Sequence, residues 1–282
     1  MQSGLCYKLI VSNEQAVSTR AEWSAPDATP RGHVALGLAF SFVRLPLMAL
    51  AAAATLGLLA ALGEPVAFPP SPMIATLYLI PVNVATLLLL RAALHYEGRT
   101  LRGLIGFSRS RLPRDCLWGL FWLIVLYVPF ALAILGAMLL LYGGDAFARF
   151  ETVFVPARDS MPDLSAATGI VLGAVAVLMF APLNAPAEEL AYRGFAQGHL
   201  QRAWPRAAAV LVPAAGFGVQ HLFFAPTAPA MVVYGLAFFV WGAGCGLIYL
   251  RQRRLMPLIV CHFIVNLLTS APALVLPLLL PA

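Results

Sequence analysis

The sequence predicts an all-α bundle of seven or eight transmembrane helices. Three observations lead there: 61% of the 282 residues are hydrophobic and 11% are charged, the mean hydropathy is +0.85, and the apolar residues fall in runs of membrane-spanning length. A soluble domain carries about a quarter of its residues as charges. This chain has too few to clothe a water-facing surface, so its solvent is a bilayer.

Residues 1–33 hold Lys8, Arg20, Arg31 and three acidic residues without a sustained apolar run. They read as a polar cytoplasmic tail and not as a cleavable signal peptide. Residues 34–282 form the membrane domain. Within it, runs that could cross a hydrocarbon core of about 30 Å, which takes roughly 20 helical residues, lie near 34–62, 72–94, 116–142, 166–184, 207–224, 229–250 and 255–280. Backbone amides in lipid must bond within their own segment, and none of these runs alternates as barrel strands do, so each is expected to be a helix.

Arginine placement orients them. The stretch 91–114 holds Arg91, Arg99, Arg102, Arg109, Arg111 and Arg114, and 251–254 holds Arg251, Arg253 and Arg254. Both are expected to be cytoplasmic, and the N-terminus with them. Residues 63–71 have no basic residue and 143–165 carry four acidic residues against Arg149 and Arg158, which fits the opposite side. Residues 97–113 mix Leu101, Leu104, Ile105 and Phe107 with arginines; a solvated topology-setting loop is the simpler reading and an amphipathic surface segment the other.

The net charge of +6 is carried by arginine, with Lys8 the single lysine. Because these arginines sit in short loops between apolar runs, they read as topology signals and not as a nucleic-acid footprint. Cys6, Cys116, Cys245 and Cys261 form no CxxC pair, so neither a disulfide framework nor a zinc knuckle is implied. The bias toward Ala, Leu, Pro and Arg points to a GC-rich bacterial genome, and so to the bacterial cytoplasmic membrane.

Ionisable groups in apolar helices are expensive and mark functional sites; here they concentrate after residue 180. In Pro186-Ala187-Glu188-Glu189-Leu190-Ala191-Tyr192-Arg193-Gly194, Glu189 and Arg193 stand four apart on one helical face and can pair. Glu188, turned about 100° away, is left over for general-base work. The competing reading is an interfacial charge cluster. In Phe217-Gly218-Val219-Gln220-His221 an aromatic ring and an imidazole share one face, where a core histidine satisfied by a carbonyl is the bland alternative. In His262-Phe263-Ile264-Val265-Asn266 an imidazole and a carboxamide share a face, either as oxyanion donors or as an interhelical clamp. Cys261 points elsewhere and packs.

Taken together, Glu-Glu-x-x-x-Arg, Phe-x-x-x-His and His-x-x-x-Asn, in that order on separate apolar segments, resemble the CAAX-protease and bacteriocin-processing family of membrane endopeptidases. The resemblance covers about residues 166–270. It implies intramembrane hydrolysis of a peptide bond in a membrane-associated protein or peptide substrate: Glu188 and His221 activate a water, His262 and Asn266 stabilise the oxyanion, and Glu189 and Arg193 form a supporting ion pair. Members of that family have been described as metalloproteases and as glutamate-dependent enzymes. A zinc ion would take Glu188, His221 and His262. With no H-E-x-x-H pair to fix two ligands on one helix, a metal-independent water is favoured and zinc is the alternative.

No GxSG serine motif is present, and Tyr142-Gly143-Gly144-Asp145 misses the Gly-x-Gly-Asp of aspartyl types by one residue. A non-catalytic membrane protein, such as an immunity or scaffolding factor using the polar cluster for helix cohesion, is the rival reading. One geometric difficulty stands: if the fourth helix ends near 184, Glu188 and His221 lie at different depths unless residues 185–203 re-enter the membrane.

Overall fold

The computed structural model describes residues 29–156 and 165–279. Among these, seven helices are long and apolar enough to cross a membrane. They are α1 (Pro30–Ala61), α2 (Pro72–Tyr96), α3 (Leu112–Tyr142), α4 (Ala167–Leu200), α5 (Arg206–Phe224), α6 (Ala228–Gln252) and α7 (Met256–Leu279). The chain is an all-α integral membrane bundle. Its first helix starts at Pro30, inside the stretch expected to be tail, and residues 1–28 lie outside the described residues.

Local chemistry sets the helix boundaries. Ser71, Ser165 and Thr227 each accept a hydrogen bond from the amide three residues on, at Ile74, Thr168 and Ala230, which satisfies one of the orphan donors of a first turn. Gly143, at φ +55°, ends α3. Between α2 and α3, Leu101–Ile105 form a short helix whose Leu101, Leu104 and Ile105 pack on the main core, while Arg102, Arg109, Arg111 and Arg114 are exposed. This stretch is amphipathic and not the plain solvated loop, because its apolar side chains recur at i, i+3 and i+4 and share one face.

The largest departure from the sequence reading is α4. No loop follows the apolar run 166–184; the helix continues to Leu200, with π-helical stretches at Ala176–Phe180 and Glu189–Gln197. Pro182 and Pro186 have no amide to donate, and widened turns of this kind absorb such a break. Hydropathy misses the continuation because Glu188, Glu189, Arg193 and Gln197 lower the local average. Yet all four are at most 2% exposed, since they face other helices and not lipid.

That continuation removes the depth problem without a re-entrant segment. Glu188 lies roughly 18 Å from the end of α4 at Leu200, and His221 roughly 22 Å from the start of α5 at Arg206, at 1.5 Å per residue. The two helices run antiparallel from the short 201–205 turn, so both side chains reach a similar level.

The second half of α4 is the axis of the bundle, packed by α1, α2, α5 and α7. Leu190, Tyr192, Phe195, Phe217, Trp241 and Tyr249 belong to the main core around it. By contrast α3 lies outside, with Leu117, Leu120, Ile124, Val128 and Leu132 exposed, as a lipid-facing helix requires. Near the 201–205 turn, Glu97 meets Arg99 at 3.0 Å and His199 at 2.9 Å, and His33 reaches His199 at 3.0 Å. This cluster ties α1, α2 and α4 together.

Candidate active site

Six polar residues singled out in the sequence come together in the bundle interior. Glu189 accepts from Arg193 at 3.3 Å, four residues on along α4, and from His262 Nδ1 of α7 at 2.9 Å. Arg193 also donates to the Gly242 carbonyl of α6 at 3.3 Å, and its guanidinium lies over the Phe217 ring at 4.4 Å. The pair is buried on both sides, and the extra donor and ring contacts supply what an ion pair needs once it is out of water. Gln197, one turn on, donates to the Gly246 carbonyl at 2.9 Å. Small residues on α6 thus expose backbone oxygens to α4.

Glu188 is not left over. Its Oε1 accepts from Arg44 Nη2 of α1 at 2.9 Å, with side chains 3% and 0% exposed. The carboxylate is therefore charge-balanced by a residue 144 positions away, which corrects the expectation of an unpaired group. Its Oε2 makes no hydrogen bond among the described residues and stands 3.5 Å from His262 Nε2, beyond a well-formed hydrogen bond.

His221 ends α5, where the helix tightens into a 3-10 turn over His221–Phe224. A carbonyl only accepts, so the 2.7 Å contact between His221 Nδ1 and the Phe217 oxygen puts a proton on Nδ1 and leaves Nε2 as the acceptor of the neutral ring. Phe238 of α6 stacks flat on the imidazole, with centroids 3.5 Å apart and planes 9° from parallel. On α7, His262 commits Nδ1 to Glu189, which leaves Nε2 to act elsewhere. Asn266, one turn further, is 6% exposed, and its Nδ2 has no partner among the described residues. Cys261 is buried in the core.

Glu188, His221, His262 and Asn266 line one cavity of about 400 Å³. Its remaining wall is mostly aromatic, with Phe130, Phe180, Phe224, Tyr234, Phe238 and Trp241 prominent. Among the described residues the arrangement offers one carboxylate oxygen without a hydrogen bond, the Nε2 atoms of two imidazoles and unspent amide donors on Asn266 and Gln220, in a chamber lined mainly by apolar side chains.

Several residues of the site escaped the sequence reading: Arg44, Asn83, Thr86, Asn184 and Gln220. Each makes or shares a hydrogen bond with the Arg44 guanidinium. A signal for the first existed, since Arg44 interrupts the run 34–62 and an intramembrane arginine is a functional hypothesis by default. Asp145, at the near-miss aspartyl motif, is exposed at the end of α3 and outside the site.

Among the described residues no three His, Cys, Asp or Glu side chains converge as a metal-ligating group. Glu188 gives one oxygen to the Arg44 guanidinium, and a cation already bonded to that carboxylate opposes a second one beside it.

Residues 168–268 match the family model for Rce1-like type II CAAX prenyl endopeptidases. This segment resembles a CAAX-protease family domain. No curated protein and no solved structure matches the chain. The family domain runs from the start of α4 into α7 and so contains Glu188, Glu189, Arg193, His221, His262 and Asn266, while Arg44, Asn83 and Thr86 lie outside it. Over that segment the chain is similar to type II CAAX prenyl endopeptidases.

Proposed function

We propose that the chain hydrolyses a peptide bond of a membrane-associated protein or peptide in the cavity between α4, α5, α6 and α7, with a water activated by Glu188 and no metal. The observation that carries this reading is that Glu188 Oε2 and Asn266 Nδ2, both buried and without a hydrogen bond among the described residues, belong to side chains lining a chamber shared with His221 and His262. Buried polar atoms are almost always bonded, so two bare ones of opposite polarity facing one space suit a reacting amide.

In this mechanism Glu188 Oε2 takes a proton from water while His221 Nε2 orients it. The oxygen adds to the scissile carbonyl carbon, and the resulting oxyanion accepts from Asn266 Nδ2–H and, when His262 is protonated, from its Nε2–H. The proton then passes to the amide nitrogen, the C–N bond breaks, and the carboxylic acid so formed gives its proton to the amine, so that a carboxylate and an ammonium leave. Glu189 and Arg193 hold His262 in place. The aromatic wall favours an apolar group beside the scissile bond. On this reading the arginine-rich stretches 91–114 and 251–254 lie on the cytoplasmic side of a bacterial inner membrane.

The test is cleavage of a quenched lipopeptide library by purified wild type and Glu188→Gln, each with and without a strong chelator. The variant is expected to lose about 10²–10⁴ in rate while inserting normally, and wild type to be indifferent to chelator. Loss of wild-type cleavage on chelation would restore a metal. Undiminished cleavage by Glu188→Gln would leave the polar cluster to helix cohesion.

A further inference from the structure

Arg44 lies in α1, outside the matched segment, and is 0% exposed. A guanidinium has five N–H donors in a fixed plane, and Arg44 has an acceptor for each. Nε donates to Gln220 Oε1 at 2.7 Å. Nη1 donates to Asn83 Oδ1 at 2.9 Å and Thr86 Oγ1 at 3.1 Å. Nη2 donates to Glu188 Oε1 at 2.9 Å and reaches Asn184 Oδ1 at 3.5 Å.

The acceptors are themselves held. Thr86 donates its hydroxyl proton to the Val82 carbonyl at 2.7 Å, which turns its lone pairs toward Arg44. Tyr192 donates to Gln220 Oε1 at 2.9 Å, fixing which end of that amide faces the guanidinium. Four neutral acceptors from α2, α4 and α5 therefore orient a cation whose one anionic partner in the set is Glu188. A guanidinium serving cohesion alone needs only acceptors. This one occupies Oε1 of a carboxylate whose Oε2 stays bare in the cavity.

We infer that Arg44 is a positioning residue for hydrolysis, acting through Glu188: its fork fixes the rotation of the carboxylate so that Oε2 alone is offered to the cavity, and it balances the charge of that group. This rests on the endopeptidase reading above. Lysine cannot reproduce the role, because a compact ammonium cannot hold the planar set of acceptors and the carboxylate at once.

The experiment is a double-mutant cycle in full-length protein reconstituted in liposomes, with kcat and KM measured on a cleavable lipopeptide and folded fraction measured by size exclusion. Arg44→Lys is expected to lower kcat at least roughly tenfold with KM within about twofold. In the Glu188→Gln background the same change should do nothing further, since its effect travels through the carboxylate. Should Arg44→Lys fail to fold, Thr86→Val, which removes one acceptor and keeps the arginine, runs the same cycle with a smaller fall in kcat. Equal fractional losses in both backgrounds, or losses that follow the folded fraction alone, would overturn the role of Arg44. Cleavage indifferent to Glu188→Gln is a separate result: it removes the endopeptidase reading, and this inference with it.

Discussion

At the scale of single residues, the site divides its carboxylates by their partners. Glu189 gives Oε1 to Arg193 and His262 and does not line the cavity, whereas Glu188 gives Oε1 to Arg44 and lines it; Oε2 of both lacks a hydrogen bond among the described residues. The same contrast separates the donors of α7, since His262 has spent Nδ1 and Asn266 has spent neither amide proton on a side chain or carbonyl among the described residues. Asn266→Ala is therefore expected to lower kcat about 10²–10³-fold with little change in KM or thermal stability, measured on the same lipopeptide. An equal loss of stability and rate would mark Asn266 as a clamp. Residues whose partners sit one helical turn away were legible in the sequence: Glu189 with Arg193, and Phe217 with His221. Arg44 was not, because its bond to Glu188 spans the chain from α1 to α4 and no local spacing encodes it.

At the scale of elements, close approach is set by residues without side chains. At Gly216 of α5, an added Cβ would fall 1.9 Å from the Ser41 carbonyl oxygen of α1, which is backbone and cannot swing away. Gly216→Ala should cost about 1–3 kcal/mol or more by overpacking, read as a lower melting point in detergent. A melting point unchanged from wild type would mean that α1 can shift without loss. Because α1 also carries Arg44, some activity should fall with it. The existence of each helix was legible from its apolar run, but the end of α4 was not. Averaged hydropathy reports contact with lipid, and the polar residues that continue α4 contact other helices instead.

At the scale of the whole molecule, the arginine asymmetry that orients the helices makes a prediction independent of chemistry. A cysteine at Asp145 should react with a membrane-impermeant maleimide added outside intact cells, while one at Arg102 should react only after permeabilisation, in a background lacking the native cysteines. The reverse pattern would invert the topology. The bundle was readable as a bundle, yet its order of packing, with α4 at the axis and α3 facing lipid, was not, since every run is apolar and differs only in which neighbours it meets. One detail of the site bears on how a substrate must lie in it. His221 is pinned by the Phe217 carbonyl on one edge and by Phe238 across its face, so the imidazole cannot turn over during a catalytic cycle. On the proposed reading, Nε2 faces the water at every step, and Glu188 carries the proton from that water to the amide nitrogen. The scissile nitrogen must then come beside Glu188 Oε2, where the water stood, which limits how a substrate can lie in the chamber.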